Sequence, residues 1–191
     1  AGMSLNLTAS GHQLIEMIDS TPHMVLYRAC RLADNRPVLL KTLPAEYPGL
    51  TEITRLKHEY ELTRELNLPG LVQALGWEEA GHRPLLIFED FGGSPLRQWV
   101  SPPGLELALF LDIAMQTAHI LGDIHQANVI HQNLTPHHIW FNPHTQQIKI
   151  TNLSLASRLA QATRPVGDPR LLDGDLAYIS PEQTGRMNRV I

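Results

Sequence analysis

Residues 129–154, VIHQNLTPHHIWFNPHTQQIKITNLS, hold the side chains best placed for chemistry in this sequence. His131, Asn133, Thr135 and His138 fall in one polar loop, and Asn152 and Ser154 fall in a second. These positions offer amides, imidazoles and hydroxyls. Asn133 is a neutral amide, with no basic group to take up a proton. Magnesium prefers hard oxygen ligands, carboxylates above all. Asn152 brings one neutral carbonyl, and His138 brings an imidazole better suited to zinc or copper. His119, His125, His131, His137, His138 and His144 fall close together, as a metal site would require. No H-E-x-x-H pattern and no cysteine-rich cluster accompanies them, so His137 and His138 read as polar loop residues.

Two apolar stretches, 139–141 and 148–150, flank a turn at Asn142-Pro143 and read as the strand pair between the two loops. Ahead of them, 105–127 carries the strongest helix signal. There Phe110, Ile113, Ala114, Thr117, Ala118, Leu121 and Ile124 keep i, i+3, i+4, i+7 spacing, which predicts a buried face. Upstream, 13–18, 24–32 and 37–43 read as strands separated by turn-formers. Residues 51–66 read as a helix with Thr51 as N-cap and Ile53, Leu56, Tyr60 and Leu66 on one face. Two more strands are expected at 71–77 and 85–89. Phe91-Gly92-Gly93 reads as a hinge, followed by a short helix at 94–100 and a break at Pro102-Pro103-Gly104. The expected class is α+β.

The chain has 191 residues, 43% hydrophobic and 18% charged, with a formal net charge of -4. That describes a folded domain with a real core. It excludes a strongly basic partner surface for nucleic acid or anionic membrane. No apolar run is expected to reach the ~18 residues of a membrane span, and no signal peptide opens the chain. Ala1-Gly2 ahead of Met3 reads as an expression remnant, with 1–10 as an extension. The single cysteine, Cys30, cannot form an internal disulfide and reads as a buried thiol in a reducing cytoplasm.

In this order the elements resemble a eukaryotic-type Ser/Thr protein kinase domain, whose catalytic loop reads H-R-D-x-K-x-x-N before a D-F-G. His131 matches the histidine. Asn133 stands at the catalytic aspartate, Thr135 at the lysine, His138 at the metal-binding asparagine, and Asn152-Leu153-Ser154 at D-F-G. Ser180-Pro181-Glu182 is similar to the A-P-E that closes the activation segment. Lys41 in PVLLK corresponds to the strand-3 lysine, and Glu59 in LKHEYELTREL to its partner on helix C. Glu89 and Phe91, in FEDFGG, fall at the hinge and complete the ATP pocket that the resemblance implies. Asp19, Thr21 and Met24 stand where G-x-G-x-x-G would close over phosphates, and Leu39 replaces the small alanine that faces adenine. The words EYELTRELNLPGLV, FEDFGG and SPEQTGRMNR further resemble the N-terminal domains of large bacterial signalling proteins, cyanobacterial ones among them. Those chains continue into an AAA-type ATPase, a GAF sensor and a histidine kinase.

The resemblance implies a bilobal fold. A five-stranded antiparallel N-lobe with helix C would span 11–90, and a mainly helical C-lobe, cut short after the activation segment, would span 91–191. It further implies a pseudokinase acting as a regulatory or scaffolding module in a cytoplasmic two-component sensor protein. The rival readings are a weakly active, unconventional kinase and an ATP-binding switch without turnover. ATP is the cofactor such a pocket would take, and the donor set disfavours magnesium. Expected partners are proteins or downstream domains of the same polypeptide, with residues 178–189 as one contact surface. An incompletely covered 105–127 helix would also allow self-association. Neither nucleic acid nor membrane is expected as a partner.

Overall fold

The computed structural model describes residues 11–100, 104–159 and 176–178. It forms two compact units. Among the described residues, one takes 11–67 together with Val72–Phe91, and the other takes Leu68–Leu71 and those from Gly92 onward. The division differs from a break at 90/91 in two places, Phe91 and the short excursion Leu68–Leu71.

The first unit is a five-stranded antiparallel sheet with one helix. Its strands are β1 (His12–Ser20), β2 (Val25–Arg31), β3 (Arg36–Thr42), β4 (Ala74–Ala80) and β5 (Arg83–Glu89), in the spatial order β1-β2-β3-β5-β4. Aliphatic side chains explain the central position of β3 and β5. Val38, Leu40, Leu85 and Ile87 join Ala29 in one buried cluster, with Leu14, Tyr27 and Ala80 packed against it. The expected strand at 71–77 starts at Ala74 instead, because the main chain just before it is engaged elsewhere: Leu71 bridges Ile150 in the second unit.

Helix α1 (Leu50–Leu66) starts one residue before the expected position. Gly49, not Thr51, is its N-cap, and the Gly49 N–H donates to Glu52 Oε2 at 3.1 Å. The helix ends at Asn67, whose left-handed φ of 42° suits an asparagine C-cap. Its buried residues are Leu56, Glu59, Leu62 and Thr63. Of the face expected from Ile53, Leu56, Tyr60 and Leu66, Leu56 is buried and the other three are partly buried, because Leu62, Glu59 and Thr63 share the inward side.

In the second unit, helix α2 (Leu107–Gln126) buries Ile113, Ile120 and Ile124. Phe110, Ala114 and Ala118, expected on the buried face, are exposed. The helix is apolar on more than one side, so periodicity alone could not choose the covered one. By length and composition α2 could also cross a membrane, contrary to the expectation that no run would qualify. Within this unit it is buried along one narrow side, at Ile113, Ile120 and Ile124, while Leu107, Phe110, Leu111 and Met115 are exposed. Its Gln116 Oε1 accepts from the Ile148 N–H at 3.0 Å, and Gln116 Nε2 donates to Gln146 O at 2.9 Å.

The expected helix at 94–100 is instead a short strand, β6 (Ser94–Pro95), and a single 3-10 turn, Leu96–Gln98. Ser94 and Pro95 pair with Phe141 and Trp140 of the hairpin, which takes the first two residues out of any helix, and Trp99 Nε1 donates to Ser94 Oγ at 2.8 Å. Then come β7 (Val129–Ile130), β8 (Ile139–Asn142), β9 (Gln147–Ile150) and β10 (Ser157–Arg158). β8 and β9 form the expected hairpin, β6 adds to its β8 edge, and β10 pairs with β7. Among the described residues this unit holds one α-helix. Ser180-Pro181-Glu182 lies outside the described residues, and of the contact surface 178–189 only Tyr178 lies within them.

Gly70 fixes where the chain can approach α2. A Cβ there would stand 2.4 Å from Ile120 Cγ1, and the Gly70 carbonyl accepts from the Ile150 N–H at 2.8 Å. Only glycine fits this approach.

Candidate functional site

Each unit presents its own set of expected site residues. In the first, Lys41 on β3 and Glu59 on α1 are brought together. Lys41 Nζ donates to Glu59 Oε2 at 2.6 Å, with side-chain exposures of 9% and 1%. Thr63 Oγ1, one turn on, donates to the Glu59 carbonyl at 2.7 Å.

Glu89, at the end of β5, turns its carboxylate back along the sheet. Oε1 accepts from the Gln73 N–H at 3.0 Å, and the Glu89 N–H donates to Gln73 O at 2.9 Å. Phe91 is half-buried at the end of this unit, and Leu39 is 1% exposed in register with Arg28 and Phe88. An ion pair that sequence reasoning missed links the same region: Arg28 Nε donates to Asp90 Oδ2 at 2.7 Å, and Arg28 also reaches Glu16 on β1. Nothing in the spacing of residues 62 apart could have signalled it.

The β1–β2 turn, where a phosphate cradle would stand, is bonded to itself. The Ser20 N–H donates to Asp19 Oδ1 at 2.8 Å, and the Thr21 N–H to Met24 O at 2.9 Å. Position 22 is proline and has no N–H. The N–H groups of His23 and Met24 both donate to Thr21 Oγ1, at 3.2 and 3.1 Å. Every main-chain donor from 20 to 24 thus has an acceptor inside the turn, whereas an anion-binding loop keeps such donors aimed outward.

In the second unit the expected loop residues converge. His131, 2% exposed, has Nε2 2.9 Å from the Thr151 carbonyl, and its Nδ1 accepts from the Asn133 N–H at 3.3 Å. These partners make it a neutral Nε2–H imidazole. Thr135, 3% exposed, accepts from the His137 N–H through Oγ1 at 3.2 Å, a turn-forming role quite unlike that of a projecting lysine. Trp140 Nε1 donates to the His137 carbonyl at 3.1 Å and pins the loop to β8. Gln132 takes a positive φ of 60°, turning the chain between His131 and Asn133.

His138 and Asn152, at the two positions expected to hold metal, are bonded to each other: Asn152 Nδ2 lies 2.9 Å from His138 Nε2. His138 Nδ1 is 2.7 Å from the Asn133 carbonyl and 3.3 Å from Thr135 Oγ1. Ser154 Oγ donates to Asn152 Oδ1 at 2.8 Å, a contact that sequence reasoning did not single out. Asn152 adopts φ 66°, a left-handed conformation that asparagine tolerates.

These residues do not fit a magnesium ion. The chain has no carboxylate between Asp123 and Asp168. The carbonyl oxygen and imidazole nitrogen that could serve as ligands already accept hydrogen bonds. Among the described residues, no group of three or more His, Cys, Asp or Glu side chains could hold a metal ion.

Comparison with known proteins gives this arrangement its context. A family model described as protein kinase domain matches residues 23–189. The serine/threonine-protein kinase PknA of Mycobacterium tuberculosis is 30% identical over 187 residues, covering 94% of this chain and 43% of that protein. The serine/threonine-protein kinase PrkC of Bacillus subtilis is 25% identical over 174 residues, 90% of this chain and 26% of that protein. The DNA damage-responsive serine/threonine-protein kinase RqkA of Deinococcus radiodurans is 27% identical over 183 residues, 93% of this chain and 27% of that protein. The chain therefore spans less than half the length of these curated relatives.

Proposed function

The chain belongs to the protein kinase domain family, and from that premise we propose that it is a pseudokinase, a regulatory or scaffolding module of a larger bacterial signalling protein. The observation that carries this reading is the chemistry of its two loops. A kinase needs a base for the substrate hydroxyl and hard anionic ligands for its metal ions, and here an amide stands at each aspartate position, Asn133 and Asn152. Electrostatic stabilisation of the transferred phosphoryl is usually the largest catalytic contribution, and it goes with those ligands. The self-bonded β1–β2 turn adds to this by offering no main-chain donors to a phosphate. Such a module acts in the cytoplasm through protein contacts, with a partner or with further domains of its own polypeptide.

The test is phosphoryl transfer from radiolabelled ATP, with Mg²⁺ and with Mn²⁺, to the chain itself and to a generic Ser/Thr substrate. No transfer above background is expected. Transfer that disappears in the charge-neutral Lys41→Met/Glu59→Leu variant would establish a working kinase and overturn the proposal.

A second reading, ATP binding without turnover, is favoured by one observation, the intact Lys41–Glu59 pair. In active kinases this pair holds the α- and β-phosphates. Thermal shift with ATP separates the two: a ligand present at about 100 times its Kd adds about 2.7 kcal/mol of stability. A shift without transfer selects the ATP-binding switch, and no shift at millimolar ATP selects the scaffold.

A further inference from the structure

The two loops flanking the β8–β9 hairpin are tied by a chain of hydrogen bonds in which each proton can be placed. Ser154 Oγ–H donates to Asn152 Oδ1 at 2.8 Å. With its oxygen so engaged, Asn152 presents Nδ2 to His138, 2.9 Å from Nε2. An amide NH₂ can only donate, so His138 Nε2 carries the lone pair and Nδ1 carries the proton. Nδ1–H then donates to the Asn133 carbonyl at 2.7 Å, and carbonyls can only accept, so the two ends of the ring agree. The sequence of donors runs one way, from Ser154 to Asn133, and is neutral throughout.

We propose that this relay is a lock that takes the place of a divalent ion, holding the loop before β8 to the loop after β9 without metal, and that the Asn133 carbonyl sets its direction. The proposal deepens the pseudokinase reading and rests on it for its biological sense. A metal ion bridging the two loops would need Asn152 Oδ1 and His138 Nε2 as ligands. Both are acceptors within the relay, so coordination would break two hydrogen bonds and leave the Ser154 hydroxyl and the Asn152 amide to find new partners. The replacement donors are also soft or neutral where magnesium requires hard anionic oxygen. The Asn133 carbonyl can only accept, so it sets the tautomer of His138 and, through Nε2, the orientation of the Asn152 amide, and the Ser154 hydroxyl adapts to it.

Long-range proton–nitrogen correlation spectra of the uniformly ¹⁵N-labelled 191-residue chain read the His138 tautomer directly. The expected wild-type result is the Nδ1–H form, unchanged by millimolar Mg²⁺. Ser154→Ala should keep that tautomer, because the Asn133 carbonyl still requires a proton on Nδ1, and should shift only the Asn152 side-chain amide signals. Titrated Mn²⁺ should leave His138 and Asn152 broadened no more than the exposed His119 and His125. In Asn152→Asp/His138→Asn, the same ion should cause saturable broadening centred on position 152. A wild-type Nε2–H tautomer, saturable Mn²⁺ broadening at His138 and Asn152, or loss of the Nδ1–H tautomer in Ser154→Ala overturns the lock. These readouts are independent of the transfer assay. Phosphoryl transfer by a chain that keeps the lock defeats the pseudokinase reading alone, and Mn²⁺ at the loops of an inactive chain defeats the lock alone.

Discussion

Lys41 Nζ and Glu59 Oε2 stand 2.6 Å apart between strand β3 and helix α1, with Glu59 almost wholly withdrawn from water. A pair this buried stabilises less than its Coulomb attraction suggests, because both charges lost their hydration, but breaking it is expensive. Lys41→Ala or Glu59→Ala is expected to destabilise the fold by about 3–5 kcal/mol, each leaving a buried charge alone. Lys41→Met/Glu59→Leu removes both charges and should recover most of that loss. Urea denaturation of the three variants measures this, and a single variant as stable as wild type would contradict it.

The β1–β2 turn predicts weak phosphate binding for a stated reason. Asp19→Gly/Thr21→Gly/Met24→Gly removes the Asp19 and Thr21 side-chain acceptors and restores the glycine pattern, so main-chain donors become available to an anion. ATP should then raise the melting temperature of this variant more than that of wild type. Thr21→Val alone removes one acceptor from two exposed N–H groups and should lower stability by about 0.5–1.5 kcal/mol.

Restoring carboxylates should restore chemistry if the rest of the frame is sound. Asn133→Asp/His138→Asn/Asn152→Asp replaces the amide at the base position and rebuilds an oxygen ligand set. Metal-dependent phosphoryl transfer is expected to rise at least ~10²-fold over wild type, the lower end of what general-base catalysis contributes. An unchanged background rate in a folded variant would show that the nucleotide side of the site is also lost.

Gly70 carries a packing prediction. Gly70→Ala drives a methyl into Ile120 and should destabilise by about 1–3 kcal/mol, the range for overpacking. Ile120→Ala in the same chain makes room, so the double-mutant cycle should show a favourable coupling. Additive losses would mean that the backbone moves instead.

Asp34, at the β2–β3 turn, accepts from Arg31 through both oxygens, and that hydrogen-bonded guanidinium lowers its pKa to about 2. A depressed carboxylate contributes stability that is fully present above its unfolded pKa of about 3.9 and is lost as pH falls through the folded value. Carboxyl ¹³C shifts followed from neutral pH down to acid should show Asp34 titrating later than the other aspartates, and Arg31→Gln should return it to the ordinary range.

The sequence by itself determined the order of elements, because strand and helix periods and turn residues are local properties. The sheet-then-helix sequence, the β8–β9 hairpin and the positions of Lys41, Glu59, Asn133 and Asn152 were all legible there. The absence of carboxylates from the loops was legible too, since chemical type needs no coordinates. Tertiary structure decided which apolar side of α2 is covered, why a glutamate marks the inner face of α1, and why Leu71 leaves the sheet for Ile150. It also decided the hydrogen bonds that give the site its character: the turn whose donors serve Thr21, and the line from Ser154 through Asn152 and His138 to Asn133. Such bonds depend on angles and tautomers set by distant backbone, and one-dimensional spacing carries neither.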